Sequence, residues 1–258
     1  MSFRISVLGS GSSGNCTFVA SASTRILIDG GLSRLQTVKR LAAIGESIDR
    51  IDAFLITHEH NDHIQGLATI LSRNEIPVFM TEGVREFVGS LYTIKKSETM
   101  KAGYPFQVGD IAISPFSIPH DAADPIGFNL EVEGIKIAYA TDLGYLPELV
   151  LQKLKNCGLI VLESNHDLEM LKVGGYPWHV KQRIMSRLGH LSNDVTGKFL
   201  GEEYDGNACR IILAHLSRHN NHPDIARLVA SQALEARGID PGCLVLADQN
   251  QPSPLIEM

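Results

Sequence analysis

No stretch of the 258-residue sequence approaches the roughly 20 consecutive apolar residues that a membrane-spanning helix needs, so no membrane partner is expected. The opening Met1-Ser2-Phe3-Arg4-Ile5-Ser6-Val7-Leu8 lacks the charged segment, apolar core and small-residue cleavage site of a signal peptide, and a cytoplasmic location is the expectation. The four cysteines, Cys16, Cys157, Cys209 and Cys243, form no C-x-x-C pair, which argues against a structural zinc knuckle or a thioredoxin-like redox motif and predicts reduced, mostly buried thiols. There is no lysine-rich tail or basic run, and 23 Lys plus Arg stand against 29 Asp plus Glu for a formal charge of −6. That removes an obvious nucleic-acid surface from view. Yet a compact basic rim can sit on an acidic protein, and bound divalent ions add positive charge where a phosphate docks. Internal repeats, low-complexity stretches and long polar linkers are absent too, and a 44% hydrophobic, 20% charged composition fits one domain over residues 1–258.

What is present is a dense series of short strand signals. Phe3 to Leu8, Cys16 to Ala20 and Arg25 to Asp29 alternate with Gly/Ser turns, a helix fits Leu32 to Ile44, and Ile51 to Thr57 is an apolar strand ending abruptly in polar residues. Gly66 to Ser72 predicts a helix, Pro77 to Met80 a strand and Gly83 to Leu91 another helix. A second strand-rich block follows in Phe106 to His120 and Gly127 to Asp142, with a turn at Glu133-Gly134. Helical segments (Pro147 to Lys155, Lys181 to Leu188, Asn193 to Tyr204, Asp224 to Ala236) then alternate with strands at Leu159 to Leu162, Arg210 to Ala214 and Cys243 to Ala247. Two strand-rich halves interleaved with helices predict two sheets packed face to face with helices outside.

Two motifs bear on chemistry. Gly9-Ser10-Gly11-Ser12-Ser13-Gly14 satisfies G-x-G-x-x-G, but a dinucleotide fingerprint must open a helix, and Asn15-Cys16-Thr17-Phe18-Val19-Ala20 has no helical period. A tight turn between strands is expected, with backbone amides lining part of an active-site mouth as the alternative. The second motif, His58-Glu59-His60-Asn61-Asp62-His63, concentrates three of the ten histidines at a strand end. Imidazole and carboxylate are ligands for zinc and related divalent ions. H-x-H-x-D-H can serve two of them, His58 and His60 leaning to one ion, Asp62 and His63 to a second.

With this motif the chain resembles the metallo-β-lactamase superfamily. The resemblance implies an αββα four-layer sandwich with two metal ions at one edge. It also implies that Asp29 orients the histidine turn through hydrogen bonds, that His120 completes the first metal, that Asp142 bridges both ions and that His215 closes the second. The ions would be zinc or manganese, with iron also compatible. An aspartate at the bridging position and Ala214-His215-Leu216-Ser217 resemble the ribonuclease Z side of the superfamily, and the interval from Asp142 to His215 leaves no room for an inserted β-CASP domain.

Gly9 to Cys16, Glu163-Ser164-Asn165-His166-Asp167, Gly189-His190-Leu191-Ser192-Asn193 and His215-Leu216-Ser217 with Asn220, Asn221 and Pro223 are similar to the YycJ/WalJ group of bacterial proteins. That similarity implies a nucleic-acid phosphodiesterase, a DNA 5′-to-3′ exonuclease in preference to an RNA enzyme, working by hydroxide that two metals generate near neutral pH. Asp62 or Asp142 would orient the hydroxide, and His166 and His190 are candidates for proton transfer or phosphate binding. Lys181 and Arg183 are candidates for phosphate contacts and Trp178 for base stacking, each with a solvated surface role as the alternative, while His179, His219 and His222 read as surface residues. A small-molecule hydrolase of thioesters, lactones or cyclic phosphodiesters is the rival reading, because the same centre activates water against any of them. A regulatory scaffold would have lost ligands, and none is missing.

Overall fold

In the computed structural model, which describes residues 3–258, strands form where β-branched and aromatic residues run between Gly/Ser turns. β1 (Arg4–Gly9), β2 (Cys16–Ala20) and β3 (Arg25–Ile28) make an antiparallel meander, and α1 (Arg34–Ala43) carries the chain to β4 (Ala53–Leu55), parallel to β3. After α2 (Asn61–Ile64) and α3 (Leu67–Leu71), β5 (Val78–Met80) adds in parallel. α4 (Glu82–Leu91) then leads to the parallel edge strand β6 (Ser97–Thr99). The second half repeats the plan. β7 (Phe106–Val108), β8 (Ile111–Ser117), β9 (Ile126–Val132) and β10 (Ile135–Ala140) are antiparallel neighbours. β11 (Leu159–Glu163), β12 (Arg210–Ala214) and β13 (Leu244–Leu246) follow in parallel, joined through α5 (Glu148–Leu154), α6 (Leu168–Val173), α7 (Trp178–Ile184), α8 (Asn193–Lys198) and α9 (Pro223–Glu235). The last strand, β14 (Ile256–Glu257), returns to pair with β1.

Period-two alternation decides how the two sheets meet. On β11, Leu159 and Val161 face the other sheet while Ile160 and Leu162 face the helices; on β3, Ile26 and Ile28 face inward while Leu27 faces outward. The central core joins Ile5, Val19 and Leu55 of the first sheet to Phe128, Leu130 and Val161 of the second. The outer cores lie under α1, α3 and α4 on one side and under α5 and α9 on the other. This is the expected αββα sandwich, with sheet orders β14-β1-β2-β3-β4-β5-β6 and β13-β12-β11-β10-β9-β8-β7 among the described residues. None of the described helices is long and apolar enough to cross a membrane, and all four cysteines are free.

The structure adds to the predicted elements and shifts one of them. β6, Ser-Glu-Thr, has no apolar alternation to announce it and owes its pairing to parallel contact with β5. α6 and the two-residue β14 were not foreseen. The helix expected over Lys181 to Leu188 starts earlier, at Trp178, because Pro177 caps its first turn with an already extended backbone. The consequence for function is directional. β3, β4, β8, β10, β11 and β12 all deliver their C-terminal ends to one edge of the sandwich.

Phe128 is fully buried between the sheets, so Phe128→Ala is expected to cost about 3–5 kcal/mol in denaturant unfolding. A loss under about 1 kcal/mol would mean that the sheet interface is not the stabilising core described.

Candidate metal centre

Asp29 follows the last residue of β3 in a left-handed conformation, φ 64°, which turns its carboxylate along the sheet edge. Oδ1 accepts from the Thr57 backbone N–H at 2.9 Å and from Thr57 Oγ1 at 3.0 Å; Oδ2 accepts from His63 Nδ1 at 2.8 Å. Thr57 Oγ1 also lies 2.9 Å from His58 Nδ1. A hydroxyl carries one proton, so Thr57 donates to Asp29 and accepts from His58 Nδ1–H. Asp29 thereby fixes both imidazoles in the tautomer whose Nε2 lone pair faces inward. Gly31 lets the histidine turn settle there, since a Cβ on it would lie 1.7 Å from the Asp62 carbonyl oxygen.

His58, His60 and His120 form one donor cluster. His120 Nδ1 donates to the Gly189 carbonyl at 3.2 Å, leaving its Nε2 lone pair 3.2 Å from His60 Nδ1. That separation of 3.2 Å matches the ~3.3 Å edge of a tetrahedron built on 2.0–2.1 Å metal–nitrogen bonds. His58 Nε2 is buried with no hydrogen-bond partner, as such a ligand would be.

Asp62, His63 and His215 form a second cluster, with Asp62 Oδ2 3.5 Å from His63 Nε2 and 3.6 Å from His215 Nε2. Asp142, also left-handed at φ 60°, places Oδ2 3.5 Å from His63 Nε2. It belongs with His58 and His63 in a third donor set that overlaps the other two, and with Glu163, His190 and His215 in a fourth. Asp142 Oδ2 and His215 Nε2 are buried and unpartnered like His58 Nε2. Three buried donor atoms without hydrogen-bond partners in one pocket fit a cation between them.

Sequence reasoning missed Glu163. It ends β11 fully buried, and its Oε1 accepts from both His190 Nδ1 and His215 Nδ1 at 2.8 Å. Oε2 accepts from the backbone N–H groups of Leu143 and Leu191 at 3.0 Å each. The signal was a lone acid closing an apolar strand, Leu159-Ile160-Val161-Leu162-Glu163, the same signal that Asp29 gives. Asn15 was missed as well. Its Nδ2 donates to Asp62 Oδ2 at 3.1 Å while its Oδ1 accepts from Gly11 N–H at 2.7 Å, and Ser10 Oγ accepts from the His215 backbone N–H at 2.7 Å. The glycine loop is therefore a wall of the site as well as a turn between strands.

Electrostatics divide the site in two. Burial and then the imidazoles of His63, His120 and His60 push the His58 ring well below its ordinary value. Burial also lowers His63, but the carboxylates of Asp29 and Asp142 outweigh it and lift the ring to about 9. His215 is likewise raised, burial being overcome by Asp142, Asp62 and Glu163. Burial raises Asp62, but the His215 and His63 imidazoles overcome it and hold the carboxyl well below the usual range. The acid-rich half demands positive charge that protons or a cation can supply.

The clusters open into a cleft of about 230 Å³ lined by His60, Asp62, Asp142, His190, Tyr176 and Arg183 among others. Arg183 Nε donates to Asp121 at the cleft edge. His190 is partly exposed, and its ring stands 5.2 Å from those of His120 and His215. Three expectations meet different surroundings. His166 is buried outside the cleft lining, with Nδ1 unpartnered and burial lowering the ring to about 4; its backbone pairs with Ser192 and accepts from Asn193. Lys181 is buried with Nζ donating to the Lys172 carbonyl at 2.7 Å, so it closes α6 and offers nothing to a phosphate. Trp178 is 63% exposed but lies outside the cleft lining. His179 and His219 are exposed, and His222 caps α9.

Residues 24–203 match the family described as Beta-lactamase superfamily domain. The chain is 35% identical to exodeoxyribonuclease YycJ of Bacillus anthracis, over 94% of this chain and 93% of that one. It is 33% identical to exodeoxyribonuclease WalJ of Streptococcus pneumoniae, over 88% and 86%. Among solved structures, the metallo-beta-lactamase fold protein YhfI of Bacillus subtilis superposes with a TM-score of 0.73 at 17% identity, covering 97% of this chain and 98% of that one.

If Asp29 positions the histidines as described, Asp29→Asn lowers metal affinity about 10–100-fold in a chelator-competition titration while the chain stays folded. An unchanged dissociation constant would reduce Asp29 to a strand cap.

Proposed function

The chain belongs to the metallo-β-lactamase superfamily, in its YycJ/WalJ group, and on that premise we propose that it is a metal-dependent phosphodiesterase acting on nucleic acid, a DNA 5′-to-3′ exonuclease. The observation that carries the proposal is the pair of three-donor clusters facing one cleft, His58, His60 and His120 beside Asp62, His63 and His215, with Asp142 between them. Charge supports two ions. Asp29, Asp62, Asp142 and Glu163 bring four negative charges against five imidazoles that are neutral as ligands, and two divalent ions balance them. Zinc, manganese and iron all suit these donors.

When bound, the ions supply Lewis acidity that acidifies water and takes up charge developing on the phosphoryl group. The chain's own residues do the rest. Asp62, held in place by Asn15, is positioned to orient the attacking water, with Asp142 beside it. Arg183 at the cleft edge meets a non-bridging phosphate oxygen. His190 donates Nδ1–H to Glu163, whose carboxylate favours the imidazolium form against burial, and the Nε2–H of that imidazolium faces the substrate and hands its proton to the leaving 3′-oxygen. His166, buried and outside the cleft lining, is less well placed for that step, which supports His190 as the proton donor.

End-labelled duplex DNA incubated with the manganese- or zinc-loaded protein is expected to be shortened from the 5′ end, and His60→Ala to lose at least about a hundredfold in rate. Metal-loaded wild type inactive on DNA and RNA sinks the proposal. For His190→Gln, kcat is expected to fall by about 10²–10⁴ with metal content unchanged. A wild-type kcat in that variant would remove His190 from proton transfer.

A further inference from the structure

The Gly9–Gly14 loop separates two concavities. Ser12 lines the metal cleft, and the next residue, Ser13, lines a larger cavity of about 680 Å³ on the other side of the loop. Ser217 and Arg218 repeat the arrangement, Ser217 at the cleft and Arg218 at the cavity. Between them a hollow of about 220 Å³ shares Ser217 with the cleft and Arg218, Gln249 and Asn250 with the cavity. The three form one track from the clustered histidines to α1. Gly11 keeps the track low: its φ of +130° is a glycine conformation, and a Cβ there would lie 2.1 Å from Gln249 Nε2.

The lining of the large cavity is cationic in a chain whose formal charge is −6. Lys39, Arg40 and Arg218 contribute to it and no carboxylate does. Among the described residues none of the three is in an ion pair; Arg218 donates to the Asn250 side chain. Arg40 is 7% exposed, and its guanidinium meets only neutral acceptors, the carbonyls of Leu8 at 2.8 Å and Gln249 at 2.9 Å and Gln36 Oε1 at 3.3 Å. Asp248, the acid of the middle hollow, acts on Arg40 through space without pairing with it. A buried cation without an anion is costly, and hydroxyls, amides and unpaired cations along a groove are what a phosphate backbone binds.

We propose that this track carries the backbone phosphates of the nucleic-acid strand flanking the scissile bond, with Lys39, Arg40 and Arg218 as a second anion site beyond the metals. The assignment rests on the nuclease reading above. It makes the G-x-G-x-x-G loop a saddle over which the strand passes.

The test uses the full-length, metal-loaded protein and the double variant Lys39→Ala/Arg218→Ala, both exposed positions, with Arg40 left intact because it ties Leu8 to Gln249. Binding of a fluorescent, phosphorothioate-linked single-stranded oligonucleotide is followed by anisotropy over a salt series. Loss of two phosphate contacts is expected to flatten the slope of log K against log salt by about 1.4 and to weaken binding at low salt roughly tenfold. KM for DNA rises accordingly, while hydrolysis of bis(p-nitrophenyl) phosphate stays at the wild-type rate. A variant with the wild-type slope and affinity overturns the track while leaving the nuclease reading intact. Displacement of the oligonucleotide by inorganic phosphate at equal phosphate concentration makes the cavity a free-anion site and overturns the strand path. A wild type that hydrolyses the small diester but binds no oligonucleotide overturns the nuclease reading, and the track with it.

Discussion

Buried carboxylate charge sets the terms for this molecule. An ionised acid taken out of water costs several kcal/mol unless hydrogen bonds or opposite charge replace its hydration. Three acids at one edge of the sandwich, Asp29, Asp142 and Glu163, are essentially inaccessible. Two of them are satisfied by protein alone. Asp29 accepts from Thr57 and His63, and Glu163 from two backbone amides and two imidazoles. Asp142 keeps one oxygen bare, next to two bare imidazole nitrogens. The satisfied acids aim the histidines, and the unsatisfied atoms define where a cation belongs.

Delivering those atoms takes an unusual backbone. A side chain inside a strand points to one face of the sheet or the other, never along the edge. Asp29, Asp142 and His215 each leave the strand with φ between 56° and 64°, and the left-handed turn swings the side chain across the sheet edge toward its counterparts from the other sheet. Aspartate and histidine tolerate this conformation better than β-branched residues, but it still costs about 1–3 kcal/mol per residue. The continuous core between the sheets holds those ends in place, since Ile28 of β3 and Ala214 of β12, each one residue before a left-handed turn, are both part of it.

Much of this was legible in the sequence because each signal was local. Ile26 to Ile28 then Asp29, Ala53 to Thr57 then His58, and Ile211 to Ala214 then His215 are apolar runs broken by a ligand type, and the sandwich follows from the alternation of those same runs. Glu163 has the identical signature but was overshadowed by the histidines that follow it. Other features depend on separations that no local pattern encodes. Asn15 meets Asp62 only because the glycine loop folds over the histidine turn. Lys181 and Arg183 look alike as helix cations, and the two-residue offset alone sends one to the Lys172 carbonyl and the other to the cleft. His166 is buried beside Ser192 for the same kind of reason: pairing register, which the composition of its segment does not reveal.

Net charge of −6 and a polyanionic substrate are compatible because the two signs are sorted in space. Four of the acids are gathered at the metal donors, where bound metal would offset them, and the unpaired cations Lys39, Arg40 and Arg218 lie together at the far end of the track. At physiological salt, charges act over about 8 Å, so a strand lying in the track responds to these neighbours far more than to carboxylates elsewhere on the surface. The electrostatics that matter to a phosphate are then set by which strand ends and turns share one edge, and the overall acidity of the chain has little influence on them.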